Sequence, residues 1–267
     1  MPVANARMYS AAPAAKRAWR ELLGWALGRA GLDWALLDYD APAPLAGLWA
    51  RDDLGCAMMC GLPYSQRAPR PALVAAPVPS PARYRGRPAY FTDVVVRADS
   101  PHRTLEDTFG AVVGYTLEDS MSGCVALRAH LAPYRERHGP RLYRAAVGGL
   151  VNARQVIEAL VAGGIDVGPL DSYYYDLLAK HDPDFAARVR VIATTPAAPI
   201  PPLVATATLP PDELGRLRDA LAAVAGEPTL AGLRDTLLLT GFAVPAPADY
   251  DVLDDALAAS RRYAGVW

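Results

Sequence analysis

Apolar positions along this chain change their spacing repeatedly, and each change marks an element. Trp19, Leu22, Leu23, Ala26 and Leu27 recur at helical spacing, which predicts a helix over residues 13–30 closed by Gly31, a residue that takes positive φ at little cost. A strand over 3–9 precedes it. A strand at 34–37, a short helix at 44–50 and a buried strand at 56–60 ending in Gly61-Leu62-Pro63-Tyr64 come after it. The stretch 68–88 is rich in Pro and Arg and yields no predicted element. Residues 90–97, YFTDVVVR, have the β-branched density of a strand and read as a crossing between lobes. Beyond them the pattern predicts strands at 111–115, 141–147, 165–170 and 189–194, with helices at 120–131 and 152–162. The run TPAAPIPP at 195–202 sustains neither a helix nor a central strand, so it reads as a return hinge. Helices at 211–225, 229–239 and 250–262 close the chain.

Strands alternating with helices over the first two-thirds predict an α/β fold on mixed, mainly parallel sheets flanked by helices. With 267 residues the chain exceeds one ordinary core, so two lobes are expected. The expected division is 1–95 plus 196–267 as a discontinuous first lobe and 96–195 as the second, with hinges near 92–98 and 192–200. Ligands of such folds bind outside the carboxyl ends of strands and against helix N-termini.

Charge and composition narrow the partners. A net charge of −1 gives no electrostatic reason to expect nucleic acid. No window approaches the ~18 apolar residues of a membrane span, so no membrane insertion is expected. The opening residues lack the basic, apolar and small-residue segments of a secretory leader. The chain as written therefore reads as cytoplasmic, and as periplasmic if a leader has been removed. Of Cys56, Cys60 and Cys124 one must stay unpaired, and Cys-x3-Cys without a nearby His is poor metal spacing, so all three read as small buried hydrophobes. Neither a cofactor nor a metal is expected.

The chemistry concentrates in Thr116-Leu117-Glu118-Asp119-Ser120-Met121-Ser122-Gly123, between a predicted strand end and a predicted helix start. Two hydroxyls and several unpaired backbone N–H groups there suit an oxyanion. The same residues also suit an ordinary serine N-cap. The run DSMSGCVALRAHL at 119–131 resembles the Ser-x-Ser-Gly helix start of the phosphate/phosphonate substrate-binding proteins of ABC transporters, which have the two-lobed type 2 periplasmic-binding-protein fold. Three further blocks stand in that family's order: Cys60-Gly61-Leu62-Pro63-Tyr64, the AGGIDVGPLDS block at 162–172 and the VIATTPAAP block at 191–199.

The resemblance implies a small, anionic, phosphonate- or phosphate-like ligand in an interlobe cleft, contacted by Tyr64, Ser120, Ser122 and Asp171. Met121 and Gly123 belong to the same helix start, and Ser172 and Tyr173 come directly after Asp171. The family's Gly-Ser-His or Gly-Gly-His is replaced by Gly148-Gly149-Leu150, so Asn152 or Arg154 is the candidate substitute donor. A carboxylate at Asp171 suits a ligand that carries an amine or keeps a proton, although Asp171 equally suits a helix cap. Tyr9, at the end of the first strand, is a further cleft candidate and equally a core residue. The expected role is that of a solute-binding protein, with an ABC permease as partner if exported. The alternatives are a cytoplasmic enzyme on the same fold, of the thiamin-pyrimidine or menaquinone-precursor type, and a cytosolic ligand-sensing module. Glu118, Asp119 and Asp171 are the acids nearest the site, and Cys124 is the one conceivable nucleophile, at a helix start that lowers thiol pKa.

Overall fold

In the computed structural model, which describes residues 1–40, 43–206 and 208–267, the first expected strand stops early. β1 (Val3–Asn5) gives way to a single tight turn at Arg7–Tyr9, where Asn5 Oδ1 accepts the Arg7 N–H at 2.9 Å. α1 (Pro13–Ala30) forms where the apolar spacing places it, and Gly31 ends it in the left-handed region at φ 65°. Then come β2 (Ala35–Leu36), α2 (Leu45–Trp49), β3 (Leu54–Met58) and α3 (Gly61–Ser65). The Pro- and Arg-rich stretch holds β4 (Ala72–Pro79), an eight-residue strand the pattern does not reveal, and β5 (Ala89–Tyr90) comes next.

β6 (Thr92–Arg97) opens a second sheet, and its buried run of Val94, Val95 and Val96 fits a strand covered on both faces. After β7 (Val112–Gly114), a π-helical turn at Met121–Val125 leads into α4 (Ala126–His130) and α5 (Ala132–His138). β8 (Ala145–Val147), α6 (Ala153–Val161), β9 (Val167–Asp171), α7 (Ser172–His181), α8 (Pro183–Ala186) and β10 (Val189–Thr194) complete the series. The strand order is β10-β6-β9-β7-β8. β7 runs parallel to β8 and β9, whereas β6 runs antiparallel to both of its neighbours. Val94, Val113, Leu127, Leu131, Tyr143 and Val167 anchor its core.

After β11 (Ala198–Pro199) the chain adds β12 (Leu203–Ala205), α9 (Pro211–Ala223), α10 (Ala231–Thr236) and β13 (Leu239–Ala243). These finish the first sheet, ordered β13-β4-β12-β3-β1-β2, parallel among β3, β1 and β2 and antiparallel from β3 through β12 and β4 to β13. α1 packs against α9 and α10, with Trp19 edge-on to Phe242 at 6.3 Å. Burial of Trp19, Leu22 and Leu23 contributes about 1.5–3 kcal/mol per side chain.

The chain divides into two compact units, Met1–Ala89 with Pro199–Tyr250 and Tyr90–Ala198 with Asp251–Trp267. This differs from the expected division in two ways. All of β6 belongs to the second unit, because its ladders run to β9 and β10. The tail, comprising α11 (Val252–Arg261) and the last six residues, 262–267, also belongs to the second unit rather than the first. The final residue decides this: Trp267 stacks on Tyr115 at 5.1 Å, lies under the Arg128 guanidinium at 4.3 Å and accepts the Leu142 N–H at 3.1 Å.

Candidate functional site

The candidate site is built in the second unit by two neighbouring parallel strands. β7 and β9 pair at Val113 and Val167, so their carboxyl ends lie side by side. β7 leads into the Thr116–Gly123 loop, and β9 ends on Asp171. Ser120 takes extended backbone angles and caps the helical turn, its Oγ accepting the Gly123 N–H at 3.1 Å. Its carbonyl accepts the N–H groups of Cys124 and Val125 at 3.1 and 3.0 Å. The N–H groups of Met121 and Ser122 have no acceptor among the described residues, as the first turn of a helix dictates. The Thr116 N–H donates to the Gly123 carbonyl at 3.0 Å, which folds the loop back on the turn.

Asp171 approaches this turn from β9. Its Oδ1 accepts the N–H groups of Tyr173 and Tyr174, both at 3.0 Å, and thereby caps α7. Its Oδ2 lies 3.5 Å from Ser122 Oγ, a weak contact that leaves the Ser122 hydroxyl open to a stronger acceptor. Asp171 is thus a helix cap with its second oxygen facing Ser122.

Other residues secure the arrangement without being evident from the motif. Thr92, buried at the start of β6, donates from Oγ1 to the Ser122 carbonyl at 3.2 Å, and its N–H donates to Thr195 Oγ1 at 3.0 Å. The Gly149 N–H donates to the Thr116 carbonyl at 2.8 Å, which sets the Gly148-Gly149 segment against the loop.

The side chains of the remaining candidates are held in other contacts or buried. Asn152 caps α6, accepting the Gln155 N–H at 3.0 Å while Gln155 Oε1 accepts the Val151 N–H at 2.9 Å. Arg154 pairs with Asp182 at 3.0 Å and lies over the Phe185 ring at 4.3 Å, so its charge is already engaged. Ser172 is buried, and its Oγ accepts the Phe91 N–H at 2.9 Å. Tyr173 is fully buried, and desolvation, with Asp171 and Asp176 adding to it, pushes its phenol well above the ordinary value. Met121 is buried, with its side chain on the wall of an apolar cavity. In the first unit, Tyr9 is buried, and Tyr64 is buried edge-on to Tyr250 at 5.0 Å. Burial pushes the Cys124 thiol up to about 11, with Glu118 and Asp119 reinforcing the rise and Arg128 opposing it, so the helix start does not make it a thiolate at neutral pH.

Solved structures resemble this chain over nearly its whole length. A binding-protein component of an ABC phosphonate transporter from Pseudomonas aeruginosa superposes with a TM-score of 0.80 at 18% identity, covering 98% of this chain and 87% of that one. PhnD1 from Prochlorococcus marinus, solved in complex with methylphosphonate, gives 0.74 at 13% identity, covering 96% of each chain. A Xanthomonas citri protein bound to chloride gives 0.67 at 18% identity, covering 98% of each chain. No curated protein sequence matches the chain. At these identities the similarity establishes the fold, that of the periplasmic solute-binding proteins. The chain belongs to the family of phosphonate periplasmic substrate-binding proteins of ABC transporters, whose sequence model matches residues 43–250. The resemblance read from the four sequence blocks is thereby borne out. Among the described residues no helix is long and apolar enough to cross a membrane.

Proposed function

We propose that the turn from Ser120 to Gly123 is the oxyanion subsite of this binding protein and that it takes a phosphonate or phosphate-like group. One observation carries the reading: the N–H groups of Met121 and Ser122 head the helical run into α4 with no acceptor among the described residues, flanked by two hydroxyls. Backbone donors at a helix start favour negative charge, and each hydroxyl keeps a proton to donate although Ser120 already accepts from Gly123. Asp171 disfavours a fully ionised ligand and favours one that keeps a proton or carries an amine. Methylphosphonate in the related PhnD1 supports the choice of ligand class. Tyr9 and Tyr64 remain proposed ligand contacts of the first unit. An ABC permease is the proposed recipient of the ligand.

Calorimetry with methylphosphonate and 2-aminoethylphosphonate tests the assignment. The double variant Ser120→Ala, Ser122→Ala is expected to lose binding of both while its circular dichroism stays unchanged. Unaltered affinity in that variant would remove the oxyanion subsite from this turn.

A further inference from the structure

We infer that the second unit carries another ligand site, for a small apolar amine, in a cavity between α4, the segment 195–198 and α11. This cavity measures about 440 Å³, within the range that holds a small organic molecule. Its walls are chiefly Ala, Pro, Met, Val and Leu side chains, among them Met121, Ala129 and Ala197, which offer contact area but no dipoles. Only His130, Asp255 and Thr195 bring polar side chains to it, and no Lys or Arg lines it. Asp255 forms no ion pair among the described residues. His130 is held neutral at physiological pH by burial.

An anion therefore finds no counter-charge in this cavity. An ammonium group beside Asp255, with its hydrocarbon body against the alanines and prolines, finds both a charge partner and apolar cover. The site is chemically distinct from the turn described above, because neither Ser120 nor Ser122 lines it. Met121 and Thr195 nevertheless belong to both neighbourhoods. Thr195 accepts the N–H of Thr92, whose hydroxyl holds the Ser122 carbonyl.

Hexylamine is a suitable probe, with hexanol as its uncharged counterpart, both titrated by calorimetry at neutral pH. Hexylamine is expected to bind, and hexanol to bind more weakly. Two substitutions fill the cavity from different walls, Ala129→Trp on α4 and Ala197→Trp on the exposed connecting segment, so that loss of fold in one leaves the other informative. Either, once shown folded by circular dichroism, is expected to abolish hexylamine binding. Asp255→Asn should weaken hexylamine by about threefold, the scale of an exposed ion pair, and leave hexanol unchanged. The pair Ser120→Ala, Ser122→Ala should leave hexylamine within about twofold, as for independent sites. Absence of hexylamine binding, unchanged binding in both tryptophan variants, or equal affinity for hexanol overturns the inference. Loss of hexylamine in the double serine variant overturns it too, since the amine then occupies the oxyanion turn.

Discussion

Thr116 and Gly123 are locked against each other: the Thr116 N–H donates to the Gly123 carbonyl at 3.0 Å, and a Cβ on Gly123 would meet Thr116 Oγ1 at 1.7 Å and Thr116 Cβ at 2.9 Å. Glycine is required here by close approach, since its backbone lies in the ordinary helical range. Rotating Thr116 relieves only the contact with Oγ1, because its Cβ is fixed to a buried backbone. Gly123→Ala should therefore destabilise the protein by about 1–3 kcal/mol, the cost of overpacking, and weaken phosphonate binding beyond detection by displacing the Met121 and Ser122 N–H groups. Adding Thr116→Ala should recover part of the stability. Chemical denaturation and calorimetry on the single and double variants check both parts.

Asp171 separates a structural from an electrostatic role through two substitutions. Asn keeps the oxygen that accepts the Tyr173 and Tyr174 N–H groups but removes the charge facing Ser122. Asp171→Asn should leave stability within about 0.5 kcal/mol and tighten binding of methylphosphonate, a ligand without an amine, by about fivefold, the ratio set by about 1 kcal/mol of repulsion between charges near 4 Å in a wet site. For 2-aminoethylphosphonate the change should run in the opposite direction. Asp171→Ala should instead cost about 1 kcal/mol of stability through the lost cap. A matched gain for both ligands in the Asn variant would show that the carboxylate does not meet the amine.

How legible each element is in the sequence depends on how local its cause is. α1 is legible because its whole apolar face and its closing Gly31 lie within one stretch of chain. The Ser120 turn is legible for the same reason, since cap, hydroxyls and glycine are contiguous. β4 is hidden by its own prolines, Pro77 and Pro79, of which Pro79 lies where the pairing with β13 slips register. β13 is hidden because Leu237 and Leu239 prolong an apolar run that reads as helix, whereas the chain breaks at Leu238, which adopts φ 48°. The fate of the tail is least legible, as it depends on Trp267 meeting Tyr115 and Arg128 far away in sequence. Thr92 and Thr195 give no local sign of their role either, being brought to the turn only by the sheet.

Asn152 and Arg154 stand where the family's histidine is missing, and their engagements predict that neither replaces it. Asn152→Ala should cost about 1 kcal/mol of stability by breaking the reciprocal cap with Gln155. Arg154→Ala should cost less than about 1 kcal/mol, since the pair with Asp182 is partly exposed. Phosphonate affinity measured by calorimetry should be unchanged in both. A tenfold loss in either would show that the residue leaves its cap or ion pair to meet the ligand.

His130 gives the stability of the second unit a pH dependence with a defined sign. Burial lowers its pKa below the ordinary value near 6.5, and Glu106 opposes this only in part. No hydrogen bond to the imidazole is formed among the described residues; Tyr134 lies beside it at 6.1 Å, and the nearby α11 face contributes Asp255 through the shared cavity wall. The unfolded chain then binds a proton at a pH where the folded chain does not, so stability rises with pH across that interval. It is fully present above about pH 6.5 and is lost as pH falls toward the folded-state pKa, below which no further loss comes from this group. Thermal melts of the protein and of His130→Gln across this range should differ in slope, the variant being flatter. Equal slopes would show that the imidazole is as well solvated in the folded state as in the unfolded one.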